Sequence, residues 1–201
     1  MAAPRVPRLA LSMIAALLSP AVQAAPIDLE TWVPRPVLGR PVFDLRAGVD
    51  GVAQDGAGMH PYLCGEVSPI WRLSVEACGN GAGVLHQADV PDMAHFRVRL
   101  AALTRRRGRA EGTLLGGVGL TEVQRTSDAP GFRLGAAETG QVEAAGPEIS
   151  LGIKGRYWLE ERAYLVVGAT VGAAHIPGAS EVMGWRGPTV GFGSLTVGAG
   201  F

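Results

Sequence analysis

The chemistry in this chain lies in two cysteines and in charges set inside apolar segments. Cys64 and Cys78 are the only cysteines. In an oxidising compartment they can form one disulfide. It would close a loop of about 15 residues, for which the chain-entropy model gives about 3 kcal/mol. Two thiolates alone make a poor metal site. In "YLCGEVS" (62–68) and "RLSVEAC" (72–78) the cysteines share a face with Glu66 and Glu76. A hairpin centred near Trp71 sets Cys64 opposite Cys78. It also sets Glu66 opposite Glu76, a like-charge pair that repels. Arg97 and Arg99 of a following segment would offset that repulsion.

Four histidines are present: His60, His86, His95 and His175. No two of them lie at i, i+2 or i, i+4, so isolated loop or strand-end histidines are expected, with no metal and no cofactor. "HIPGASE" (175–181) holds His175, Ser180 and Glu181, the residue types of a base, a nucleophile and an orienter. Their order and spacing reproduce no motif. "LGGVGL" (115–120) lacks a P-loop lysine, and its glycines fit close strand packing instead. "TRRRGR" (104–109) suits contact with an anion or a lipid headgroup. A solvated turn is the simpler expectation.

These residues need elements to hold them, and the dominant period is two, that of a half-buried strand. Along 42–54, Phe43, Leu45, Ala47 and Val49 share one face, with Asp44, Arg46 and Asp50 on the other. Along 95–104, Phe96, Val98, Leu100 and Ala102 oppose Arg97 and Arg99. Along 148–159, Ile149, Leu151, Ile153, Tyr157 and Leu159 oppose Glu148, Ser150, Lys154 and Arg156. Along 163–173, Leu165, Val167, Ala169 and Val171 oppose Tyr164, Gly168, Thr170 and Gly172, with Val166 spoiling the polar face. In the closing "TVGFGSLTVGAGF" (189–201), Leu195, Val197, Ala199 and Phe201 oppose Ser194, Thr196, Gly198 and Gly200. With 62–68, 72–78 and 112–124 this makes eight candidate strands. Short connections at 69–71, 105–109 and 160–161 alternate with long ones at 55–61, 79–94, 125–146 and 174–187. That alternation predicts an all-β, eight-stranded antiparallel up-and-down transmembrane β-barrel over 41–201.

Arg5 and Arg8 precede an apolar run from Leu9 to Leu18, followed by the small-x-small pattern Val22-Gln23-Ala24. Residues 1–24 therefore read as a cleaved secretory signal peptide. Residues 25–40, with three prolines, read as an extended periplasmic lead-in. Removing 1–24 takes two of the 18 Lys+Arg, leaving 16 against 18 Asp+Glu and a net charge of about −2. That balance argues against nucleic acid as a partner.

Alternation alone does not say which face points outward. The mid-strand charges suit a lumen in which Arg46, Arg97, Arg99, Lys154 and Arg156 are neutralised by Asp44, Asp50, Glu66, Glu76 and Glu148. At "GSLTVGAGF" the chain resembles the closing strand of Gram-negative outer-membrane β-barrels. It is most similar to small eight-stranded proteins of the OmpA transmembrane-domain, OmpX and OmpW kind. The resemblance implies that Leu195, Val197, Ala199 and Phe201 form the signal read by the barrel-insertion machinery. It also implies insertion into outer-membrane lipid as a monomer. Aromatic residues are 6% of the chain, few for a barrel with two aromatic girdles. Trp71, Tyr157, Trp158 and Phe201 could supply a thin periplasmic girdle, and Trp185 and Phe192 part of an outer one. Segments 62–68 and 72–78 are short for spanning strands of about 9–11 residues. Some barrels of this size are lipid A-modifying hydrolases with a His/Ser/Glu set near the outer rim. The expectation remains a protein without enzymatic chemistry, acting structurally or through its outer loops. The alternatives are a narrow passive channel, such a hydrolase, or a soluble exported lipocalin-like binder.

Overall fold

Alternating side chains put one apolar row on every strand, and closure into a cylinder lets all eight rows face the same way. The computed structural model describes residues 42–53, 59–70, 72–80, 92–125, 142–160 and 163–201. Its strands are β1 (Val42–Val52), β2 (Met59–Ile70), β3 (Leu73–Gly79), β4 (Asp92–Arg107), β5 (Ala110–Gln124), β6 (Glu143–Trp158), β7 (Tyr164–His175) and β8 (Thr189–Gly200). Each pairs antiparallel with the next, and β1 pairs with β8 to close the barrel. The signal peptide, the lead-in, Trp71, His86 and most of the long connections lie outside the described residues.

The faces are inverted relative to a soluble barrel. Leu45, Val75, Val98, Leu100, Val118, Ile149, Leu151, Ile153, Val167, Val171, Leu195 and Val197 are exposed on the outside. Asp44, Arg46, Glu66, Glu76, Arg97, Arg99, Glu148 and Lys154 are buried inside. A soluble lipocalin-like binder keeps its apolar face inward, so this burial pattern contradicts that alternative.

Several element bounds differ from the sequence expectation. β2 runs for 12 residues, through Pro61 and Gly65, rather than the seven of 62–68. Pairing with β1 from Val42↔Ser68 to Gly51↔Met59 carries it past those weak strand formers. β3 keeps seven residues. β4 continues to Arg107, and only Gly108 and Arg109 connect it to β5. Gly108 has φ 59°, a left-handed conformation without steric cost for glycine. A connection this tight lets both strands continue, so "TRRRGR" is mostly strand rather than turn. The β7–β8 connection carries a short helix, α1 (Ala179–Met183), that the sequence reading did not anticipate. Inward glycines let strands approach closely: a Cβ on Gly48 would lie 1.9 Å from the Leu195 carbonyl oxygen, and one on Gly119 would lie 2.1 Å from that of Phe96.

Candidate functional site: a closed lumen

The sequence-predicted charges converge inside the barrel. Arg46 of β1 donates from Nε to Asp44 Oδ1 at 2.8 Å and from Nη2 to Glu66 Oε2 at 2.7 Å, and it also reaches Glu76. Arg97 of β4 donates from Nη1 to Glu76 Oε1 at 2.9 Å and from Nε to Glu148. Arg99 donates from Nη1 to Glu76 Oε2 at 2.8 Å and from Nη2 to Thr170 Oγ1 at 2.6 Å. Lys154 of β6 lies 3.3 Å from Asp44 Oδ2 and pairs with Glu66. Arg156 donates from Nη1 to Glu111 Oε1 at 3.0 Å. Asp50 is buried on the same inner face at the rim away from the chain terminus. The register sets Glu66 beside Glu76 as expected, and Arg46, Arg99 and Lys154 neutralise the pair.

These bonds are not confined to neighbouring strands. Arg97 to Glu148 joins β4 to β6, Arg99 to Thr170 joins β4 to β7, and Lys154 joins β6 to β1 and β2. They cross the lumen. Room for the long side chains comes from the bare backbone of β6 and β7. Arg99 Nη2 lies 3.0 Å from where a Cβ on Gly152 would stand, and Arg46 Nη1 lies 3.1 Å from the one on Gly168.

Cys64 and Cys78 form a disulfide, buried on the same inner face and next to Tyr62. Glu76 lies close enough to the two sulfurs to form a three-ligand set on geometry alone. The disulfide occupies both sulfurs and the arginines occupy the carboxylate, so the set is not available to an ion.

Above the charge network, at the rim away from the terminus, an apolar plug packs inside the barrel. Ile176, Ala179, Val182, Trp185 and Val190 pack with Val52, Met93, Val123, Ala144, Ala174 and Phe192. Helix α1 lies across the mouth against β5 and β6. Trp185 and Phe192 therefore belong to this plug rather than to an outer girdle. Phe192 occupies a lumen-facing position of β8, and Trp185 follows the helix inward. At the terminal rim, Tyr157 and Phe201 face outward as expected and Phe43 packs on Phe201, with ring centroids 5.5 Å apart. Trp158 instead packs on the inward Tyr164 ring at 4.7 Å.

His95 is not isolated. It is buried, with Nδ1 2.5 Å from Glu148 Oε2, and Thr121 donates to the same carboxylate. Its Glu148 partner is on a strand two places away in the barrel, beyond any local spacing rule. Tyr164 and Thr170, which alternation sets on the polar face of their strand, also join the network, as do Glu111 and Thr121, which no sequence signal marked. The three residues of "HIPGASE" do not form a relay: Ser180 donates to Glu181 Oε2 at 2.7 Å, while His175 Nδ1 is 3.1 Å from Thr189 Oγ1.

No protein-family model and no curated protein matches the sequence. Among solved structures the chain is similar to Neisserial surface protein A (NspA), with a TM-score of 0.54 at 9% identity, over 80% of this chain and 95% of that one. It is also similar to the N-terminal β-barrel domain of Pseudomonas aeruginosa OprF, with a TM-score of 0.41 at 9% identity over 80% and 97% of the two chains. A third is Ail of Yersinia pestis, with a TM-score of 0.37 at 12% identity over 81% and 100%. By its strand order, its inverted faces and its likeness to the first of these, the chain has the fold of the small eight-stranded outer-membrane β-barrels.

Proposed function

We propose that this protein is an outer-membrane barrel closed to solutes, with a structural role or a binding role carried by its outer loops, and without catalysis. The observation that carries this reading is the cross-lumen ion-pair network, capped by the apolar plug. An eight-stranded barrel has an interior just wide enough for its own side chains, and here charged pairs and a packed lid take that space. The signal-peptide pattern of residues 1–24 supports the location. So does the outward row of Leu195, Val197, Ala199 and Phe201, which suits the insertion machinery. The absence of a relay through His175, Ser180 and Glu181, together with the sealing of His95, Thr121 and Glu148 away from solvent, favours a non-enzymatic role. The protein is expected to act as a monomer, with lipid around it.

Planar-bilayer recording on the refolded full chain tests the closed lumen. The expected result is no discrete conductance steps at neutral pH. Stable steps would favour the narrow channel instead.

A further inference from the structure

The β4–β5 hairpin carries four arginines, Arg105, Arg106, Arg107 and Arg109, all exposed. None has a carboxylate partner among the described residues. Glu111, the acid at the turn end of the hairpin, is taken by Arg156. Glu160, on the neighbouring turn, is exposed and makes no ion pair with them. Arg106 is held in place: its guanidinium lies 5.4 Å over the Trp158 ring and its Nε donates to the Gly108 carbonyl at 3.2 Å.

Position gives this cluster its meaning. Leu103 pairs with Leu114, and both are exposed on the outer face of the barrel. The next outward positions along β4 are Arg105, opposite Gly112, and Arg107, opposite Ala110. With a rise of about 3.3 Å per residue and a tilt of about 40°, they lie about 5 and 10 Å beyond Leu103 along the membrane normal. The headgroup layer of one leaflet is about 5–7 Å thick. Tyr157, outward and opposite Ala110, marks the same boundary, where amphipathic rings settle.

Resting on the membrane-spanning reading above, we propose that Arg105 and Arg107, supported by Arg106 and Arg109, bind the phosphates of anionic phospholipid headgroups in the periplasmic leaflet. The guanidinium fork suits phosphate oxygens. Two of the four cations continue the lipid-facing rows of the strand, which favours a lipid over a polymer in the periplasm.

The test uses the full chain refolded in dodecylmaltoside micelles doped with equal dioleoyl-phosphatidylglycerol and dioleoyl-phosphatidylcholine. Native mass spectrometry counts the retained lipid. Faster migration of unboiled protein on a gel verifies the barrel first, so a failed lipid result strikes this inference and not the fold. The expected result is about tenfold or greater enrichment of phosphatidylglycerol. The double variant Arg105→Ser, Arg107→Ser brings it down to the phosphatidylcholine level, and Arg125→Ser, exposed at the other rim, leaves it unchanged. Equal retention of the two lipids overturns the proposal, as does enrichment that survives the double variant. Preferential retention of peptidoglycan fragments by the same arginines would also overturn it.

Discussion

Replacing Glu76 with leucine lowers the unfolding free energy of the barrel by about 3–5 kcal/mol, measured by urea unfolding in phosphatidylcholine vesicles. Its carboxylate is shared by Arg46, Arg97 and Arg99, and all three arginines are buried. Removing it leaves three cations facing too few acceptors in a space with little solvent. Breaking a buried pair from one side is the costly direction, because the remaining charge keeps its desolvation penalty. Glu76→Gln retains an acceptor oxygen and loses less. Glu76→Leu combined with Arg99→Leu recovers part of the loss, since fewer cations are then left without partners. A loss below about 1 kcal/mol for Glu76→Leu would mean that water reaches the network and that the lumen is not closed as described.

The second large effect is on the other face. Leu151 is 64% exposed near the middle of the outer belt. If water covered that face, Leu151→Arg would change stability by no more than about 0.5 kcal/mol. In lipid, an arginine near the bilayer midplane costs about 2–4 kcal/mol. The account predicts the lipid value for protein refolded in vesicles. Ser150 and Gly152, its chain neighbours, face the lumen, so the effect depends on the parity of the position as well as on its depth. The two substitutions test the two faces separately.

The barrel was legible because charge alternates with apolar residues over long enough stretches. Arg97 and Arg99 between Phe96, Val98 and Leu100 admit one strand phase only, and a slip by one residue would turn both arginines into lipid. The cysteine pair was legible for a related reason: two residues placed symmetrically about a short hairpin meet across it. What stayed hidden depends on closure. That Arg99 meets Thr170, or His95 meets Glu148, follows from the diameter and stagger of the cylinder, which no local spacing encodes. The plug was hidden too. Trp185 and Phe192 look like girdle residues by type; the inward turn of the β7–β8 connection makes Trp185 core, and the lumen-facing parity of β8 does so for Phe192. β2 is longer than its local pattern because Pro61 and Gly65 are poor strand formers, overridden by pairing with β1. β4 outruns its alternation because three consecutive arginines look like a turn by composition, while Gly108 carries the reversal within two residues.

The central claim is an inverted barrel embedded in a membrane, and cell fractionation tests it most directly. Cells making the full chain are separated into soluble, inner-membrane and outer-membrane fractions, and each is run boiled and unboiled on SDS gels. The account predicts recovery in the outer-membrane fraction, with the unboiled protein migrating faster than the boiled. Recovery in the soluble fraction without detergent would contradict it, because the exposed leucines, valines and isoleucines would then have to face water.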